Sequence, residues 1–550
     1  MEKELSINEK MKAESRGLRG DIAKGLGNKL TGELSDSDQQ LLKFHGSYQQ
    51  DDRDRREERE NKKLEWAYSY MVRLRIPGGD IDATQWLELQ NICDKYASGT
   101  IKITTRQTIQ FHGIVKSRLK PTIQDFDKLG LDTIAACGDV NRNVMCGANP
   151  ALSDAHDEIF QYADKISAHL LPKTNAFTEI WLDGKKLNDD KVAEEDPLYL
   201  ETYLPRKFKI AIAIPPLNDT DVFANDIGLI AIIKDNNFEG FNISVGGGLG
   251  MTHGNSKTYP RRGTVIGFIS KEKVLDIVWQ IVAIQRDHGD RSDRKLARLK
   301  YTIDRLGIEW FKTELNSRSE SILENEKPFL FNRRGDLYGW FQDKKKRWYY
   351  GAFVESGLVK DEEGYLLKSS LKEIALLKAC GFRFTGNQNI MLTNIDDQKK
   401  DLINQILEKY GILDEKFSLT RKDAIACVAL PTCPLALAEG QRYLPTLINK
   451  IEKIQDSAGI GDIPISVRMT GCPNGCGRPY LAEIGLIGKA QGKYVLRLGG
   501  DSYGERLNQV YLEEADESEI LESLRSLFGE YATQRQGQEL FGDYFNRTAQ

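Results

Sequence analysis

Two stretches of this chain recur in the same order, and that duplication limits what it can fold into more than any other feature. Residues 101–111, "IKITTRQTIQF", align without a gap on residues 382–392, "FRFTGNQNIML", matching Thr104 with Thr385, Gln107 with Gln388, Ile109 with Ile390 and Lys102 with Arg383. Further along, "IGLIAIIKDNNFEGFNISVGGG" (227–248) is echoed by "IGLIGKAQGKYVLRLGG" (484–500), each a strand, a turn, a strand and a glycine cluster. One such match between two strands carries little weight, but two in the same order imply a duplicated two-part unit with pseudo-twofold symmetry. At 550 residues the chain also exceeds one core, since cores rarely grow beyond about 250–300 residues.

Read as one unbroken strand, the first repeat sets Lys102, Thr104, Arg106, Thr108, Gln110 and His112 on one face and Ile101, Ile103, Ile109 and Phe111 on the other. A solvated sheet face is the bland explanation. Cations recur, however, at Arg73 and Arg75 ("VRLRIPGG"), Arg142 ("DVNRNVMC") and Arg206, Lys207 and Lys209 ("LPRKFK"). Such a set suits a polyanionic ligand, because arginine binds carboxylate bidentately and lysine supplies a mobile point charge.

Four of the eight cysteines fall in close pairs, Cys427 with Cys433 in "CVALPTC" and Cys472 with Cys476 in "CPNGC". The grouping points to one metal site. Zinc pairs usually read C-x2-C to C-x4-C and often recruit histidine, whereas here one pair is separated by five residues and the nearest upstream histidine is His288. Iron-sulfur clusters also take four thiolates, and a proline follows both Cys433 and Cys472, which fits loops that curl around a cluster. Four buried structural thiols are the weaker reading. Cys93, Cys137, Cys146 and Cys380 are expected to pack as small apolar side chains. No ligand-spaced partner accompanies His45, His156, His169, His253 or His288.

A net charge of -4 gives no nucleic-acid footprint, and no run approaches the ~18 apolar residues of a membrane span. "MEKELSINEKMKAESRG" has no apolar signal core, so a cytosolic protein with reduced thiols is expected.

"CVALPTCPLALAEGQRYLP" together with "RMTGCPNGCGRPYLAEIGLIGKA" resembles the sirohaem and 4Fe-4S binding signature of the sulfite and nitrite reductase family. "TTRQTIQFHG", "CGDVNRNVMC", "YLPRKFK" and "FHGSYQQDDRDRREER" bring it nearest to the haemoprotein (beta) subunits of assimilatory NADPH-sulfite reductases, over nearly the whole chain. The resemblance implies that Cys427, Cys433, Cys472 and Cys476 bind a 4Fe-4S cluster and that Cys476 also bridges to the sirohaem iron. It further implies that Lys102, Arg106, Gln110 and His112 hold the polycarboxylate macrocycle, with Arg206, Arg298 and Lys300 as further cofactor-binding residues, and that Arg73, Arg142, Lys207 and Lys209 bind sulfite. In "DRKLARLKY" the family pattern has lysine where Arg298 stands. The implied reaction is the six-electron reduction of sulfite to sulfide in sulfate assimilation and cysteine biosynthesis, with reduction of nitrite to ammonia as the alternative. A non-catalytic Fe-S electron carrier is a third reading.

The implied fold is α+β and internally duplicated, with a two-part ferredoxin-like domain and two larger α/β domains. The expected boundaries are an arm at 1–69, ferredoxin-like halves at 70–134 and 337–410, and α/β domains at 135–336 and 411–550. The chain carries no flavin domain, and "VGGGLG" (245–250) lacks the dinucleotide register, so electrons are expected from another protein. The resemblance points to a flavoprotein that takes hydride from NADPH, with ferredoxin as the alternative donor. The arm is the docking candidate, with Leu41, Leu42 and Phe44 as apolar anchors; its bland reading is a brace on the chain's own domains.

Overall fold

The computed structural model describes residues 4–173, 181–182, 185–186, 196–413 and 417–549. The first repeat is not an unbroken strand. Ile101–Ile103 and Ile109–Ile114 form an antiparallel hairpin, closed where the Thr104 N–H donates to the Thr108 carbonyl at 2.8 Å. The reversal places Gln107 in the left-handed region at φ 54°, and Gln388 at the matching position of the second copy has φ 72°. Side-chain hydrogen bonds offset that strain. Gln107 exchanges two 2.9 Å bonds with the Cys146 backbone, and Gln388 accepts from the Ala426 N–H at 3.2 Å. Because Lys102 faces Gln110 across the hairpin, the polar face survives the turn.

Each copy builds one small and one large five-stranded sheet. The first small sheet runs Ser47–Asp51, Tyr68–Arg73, Ile109–Ile114, Ile101–Ile103, Leu358–Val359; the second runs Gly339–Gln342, Trp348–Ala352, Ile390–Ile395, Gly381–Phe384, Asp80–Ile81. The two halves exchange their last strands, so each sheet is closed by two residues of the other copy. Trp86, on the helix Ala83–Tyr96 that follows Asp80–Ile81, stacks on Phe382 of the second sheet at 5.3 Å. The two ferredoxin-like halves are therefore knitted into one body.

The large sheets are equally matched. One runs Met145–Cys146, Ile210–Ala213, Ile227–Lys234, Asn237–Val245, Thr264–Ser270, the other Ile425–Ala426, Val467–Thr470, Ile484–Ala490, Lys493–Leu498, Gln509–Ala515. In both, the first three strands are parallel and the last two antiparallel. The registers agree too, pairing Ile210 with Ile227 and Val467 with Ile484. Helices cover the sheets with apolar stripes, such as Ile277, Ile281 and Ile284 of Val274–His288.

The arm is part of this body. Ser47–Asp51 is an edge strand of the first small sheet, and Leu41, Leu42 and Phe44 are buried in the main core at 1%, 2% and 5% exposure. This corrects the expectation that they anchor a partner: their apolar area is already spent on this chain. Among the described residues no helix is long and apolar enough to cross a membrane.

Candidate cofactor and active site

The four paired cysteines gather at the carboxyl ends of two neighbouring parallel strands, where open α/β sheets place ligands. Cys427 follows Ile425–Ala426, and Cys472 follows Val467–Thr470 by one glycine. That glycine is required, since a Cβ on Gly471 would lie 2.6 Å from both the Ala429 Cβ and the Ala438 carbonyl. Donors point at the sulfurs: the Gly471 N–H reaches Cys427 Sγ at 3.2 Å, and Asn474 Nδ2 reaches Cys472 Sγ at 3.4 Å. All four thiols are free. Burial, and then the neighbouring sulfurs, push Cys427 up to about 12, and burial pushes Cys433 up to about 11. A ligand-forming thiolate at Cys427 or Cys433 would need a cationic occupant to hold it in that state. Among the described residues no group of three or more His, Cys, Asp or Glu is placed to hold a single metal ion; four thiols on two neighbouring loops are a donor set of the kind that iron-sulfur clusters take.

Cys476 belongs to the wall of an adjoining cavity of about 330 Å³. The hairpin tip reaches this loop, with Thr105 Oγ1 donating to the Cys476 carbonyl at 2.8 Å. Eight cations line the cavity, Arg106, Arg206, Lys207, Lys209, Arg294, Lys295, Arg298 and Arg478, and no carboxylate does. Arg294, Arg298 and Arg478 are balanced from behind by Asp139, Asp226 and Asp221. Lys207 and Lys209 have no ion-pair partner among the described residues. Burial first, and then Arg106 and Arg298, pull Lys209 down to about 7, while burial, Arg206 and Lys209 pull Lys207 well below its ordinary value. Arg106 donates to Asn225, Asn143 and Ile210, all neutral acceptors, and its buried Nε has no partner. Such a donor set fits a multiply anionic group, and sirohaem with its carboxylates meets that description.

Five of the eleven cationic or polar residues expected from the sequence thus line the cavity: Arg106, Arg206, Lys207, Lys209 and Arg298. Arg73 and Arg142 sit together outside that lining, both donating to the Ala136 carbonyl at 3.3 and 3.1 Å. Arg73 also donates to Cys137 Sγ at 3.2 Å and, with the Gln110 amide turned so that its oxygen faces the guanidinium, to that oxygen at 2.9 Å. His112 bonds Gln50 at 3.0 Å and is driven down to about 3 by burial, Lys102 and Arg73, so it is neutral. Lys102 is buried and donates to the Ser356 carbonyl, with Cys427 as its charge neighbour. Lys300 is committed elsewhere, tying the Gly248, Gly250 and Tyr259 carbonyls and so fixing the glycine cluster.

Asp226 escaped the sequence reading. It takes Arg298 bidentately at 3.1 and 2.8 Å and accepts the Lys209 N–H at 2.9 Å, orienting two cavity cations at once. The signal was present, because an acid precedes the repeated "IGLI" in both copies, Asp226 and Glu483. The second copy repeats the bond, Ser466 N–H to Glu483 at 2.8 Å, beside its own cavity of about 190 Å³. There the residues matching Arg106, Lys207 and Lys209 are Asn387, Pro464 and Ser466. The matching positions border two cavities, and only the first carries these cations.

Models of two families match the chain: the nitrite/sulfite reductase ferredoxin-like half domain over residues 66–129, and the nitrite and sulphite reductase 4Fe-4S domain over 161–323. The second match covers most of the first large sheet, whereas the four cysteines lie in its duplicate. A sulfite reductase [NADPH] hemoprotein beta-component of Leptospira biflexa serovar Patoc is 57% identical over 547 residues, 99% of this chain and 98% of that protein. Its counterpart from Staphylococcus saprophyticus is 53% identical over 544 residues, covering 99% and 95%. The solved structure of Mycobacterium tuberculosis NirA has the same fold, with a TM-score of 0.79 at 23% identity over 99% of this chain and 96% of that one.

Proposed function

Because the chain belongs to the nitrite and sulfite reductase family, on its sulfite reductase hemoprotein branch, we propose that sulfite is bound and reduced in the cationic cavity beside Cys476. The protein is an oxidoreductase of sirohaem and 4Fe-4S type, carrying sulfite through six electrons to sulfide. One observation carries the placement: a cavity lined by eight cations and no carboxylate, with a cysteine of the paired set in its wall.

Cys427, Cys433, Cys472 and Cys476 would hold the cluster, with Cys476 the member of the set on the cavity side, and Arg106, Arg206 and Arg298 would meet the carboxylates of the macrocycle. Lys102, Gln110 and His112 form the polar face next to these groups; Lys300 supports the glycine loop. The bound cofactors supply electron storage and transfer. The chain's own residues neutralise, orient and protonate. Lys207 and Lys209 offer unpaired ammonium groups to sulfite oxygens, and a lysine near 7 gives up a proton readily at neutral pH as those oxygens leave as water. Arg73 and Arg142, outside the lining and sharing one carbonyl acceptor, add positive charge near Arg106.

The electrons come from a second protein. The relatives' printed name joins NADPH to a beta-component, and we read the donor as a flavoprotein subunit that takes hydride from NADPH, with ferredoxin as the alternative, in the cytoplasm. An absorption spectrum of the purified protein, followed by sulfite and nitrite turnover with reduced methyl viologen, tests the proposal. Sirohaem bands and efficient sulfite reduction are expected. Missing bands would overturn it, and strong nitrite with poor sulfite turnover would replace sulfite by nitrite.

A further inference from the structure

The arm reaches the cysteine loops chiefly through Arg53. Arg53, in the short turn Arg53–Arg55, sends Nη2 to the Cys433 carbonyl at 2.6 Å and Nη1 to the Ala436 carbonyl at 2.9 Å. Its own N–H donates to the Pro431 carbonyl at 3.4 Å. Next to it, Asp54 pairs with Arg442 at 2.5 Å, tying the arm to the far side of the same loop. From within, the Leu437 and Ala438 N–H groups bond the Gly471 carbonyl at 2.7 and 3.0 Å. The Cys433 loop is thus gripped between Gly471, beside Cys472, and Arg53.

Two further observations give this grip a chemical meaning. Arg53 forms no ion pair with a carboxylate among the described residues, whereas nearby Arg56 is neutralised by Asp51 at 2.7 Å. The loop tip faces solvent, with Leu435 63% exposed. A fixed positive charge therefore sits beside Cys433 at an open edge of the proposed cluster. Net charge, hydrogen bonding and exposure are the levers by which a protein sets a cluster's reduction potential.

We propose that Arg53 is a positioning residue of the metal centre, holding the Cys433 loop by two carbonyl bonds and favouring the reduced cluster by its charge. This rests on the reading of Cys433 as a cluster ligand. The reasoning is electrostatic: the cluster becomes more negative on accepting an electron, and a nearby cation stabilises that form. The arm then acts as a brace with a redox role.

The test compares Arg53→Gln and Arg53→Lys in the holoenzyme by redox titration of the cluster signal, iron and labile-sulfide content, and hydrogen exchange over residues 431–437. Arg53→Gln should bind the cluster with a midpoint lowered by about tenfold in the reduced-to-oxidised ratio, ~59 mV for one electron, and with faster loop exchange. Arg53→Lys, which keeps the charge but not the two-pronged bond, should restore the midpoint to within about threefold while its loop still exchanges faster. An unchanged midpoint in Arg53→Gln would overturn the inference, as would a midpoint in Arg53→Lys lowered as far as in Arg53→Gln. Iron and labile sulfide in the wild-type protein establish the cluster independently, so these outcomes count against Arg53 alone; their absence from the wild type would overturn both readings.

Discussion

Replacing Lys209 by methionine should do two opposite things: stabilise the cofactor-free chain and disable the loaded enzyme. Lys209 sits among cations without a carboxylate partner, and burial with Arg106 and Arg298 lowers it from 10.5 to about 7. That gap corresponds to roughly 5 kcal/mol against the folded chain, an upper bound because the ammonium meets cavity water. The sign follows from linkage. The folded-state value lies below the unfolded one, so the penalty is complete below pH ~7, shrinks as the folded lysine loses its proton, and vanishes near 10.5. Thermal melts of the cofactor-free protein should therefore show Lys209→Met melting several degrees higher at pH 6, with the gap closing toward pH 10. In the loaded enzyme the same change removes a unit charge facing an anion, about 4 kcal/mol at ~4 Å and an effective dielectric near 20. Viologen-driven sulfite turnover should fall by roughly 100- to 1,000-fold, the range for losing one preorganised donor. A lower melting temperature at pH 6, or turnover within about threefold of wild type, would refute the view of Lys209 as a charge held in reserve for an anion.

Cys476→Ser should disrupt the coupled centre, because serine is a harder and far less acidic ligand than thiolate, whereas Cys93→Ser should leave the absorption spectrum unchanged; retention of both cofactors and normal turnover by Cys476→Ser would reassign the shared thiolate. Asp226→Asn should weaken sirohaem retention during gel filtration, since it leaves Arg298 buried without its partner and loosens the Lys209 backbone. Asp221 is buried and pairs with Arg468 and Arg478 of the other copy at 2.5 and 3.1 Å, so Asp221→Asn should cost about 3–5 kcal/mol in denaturant melts. Held down at about 2 by those arginines despite its burial, this carboxylate contributes stability that is complete above pH ~4 and lost as the pH falls through 2. For partner docking, deletion of residues 1–35 is a blunt tool, because buried Glu9 and Lys12 join Asp139 and Arg291 in an ion network behind the cavity. Exposed Ile7 and Leu30 are cleaner targets: Ile7→Asp with Leu30→Asp should weaken NADPH-driven reduction through the flavoprotein and spare viologen-driven turnover, and equal loss or no loss with both donors would place docking elsewhere.

Much of the architecture was legible because duplication leaves a trace that needs no coordinates. The gapless match of 101–111 to 382–392 and the "IGLI" repeat foretold a duplicated two-part unit, which the structure realises as two small and two large sheets. The paired cysteines were equally readable, since ligand spacing is a local property of the chain. The hairpin within 101–114 was missed because its reversal uses glutamine, not glycine, at a positive φ, a choice rescued by hydrogen bonds to Cys146, which is remote in sequence. Leu41, Leu42 and Phe44 misled for a related reason: whether an apolar residue anchors a partner or fills its own core depends on what folds over it.

The sequence by itself determined composition, repeat, ligand type and the supply of cations, all of which follow from residue identity and order without knowing which side chains touch. Tertiary structure alone decided which cations share a cavity and which are spent on Asp139, Asp221 and Asp226. Those outcomes depend on distances between segments hundreds of residues apart, such as Asp221 with Arg468 and Arg53 with Cys433. Electrostatic energy falls with distance in space and is blind to distance along the chain.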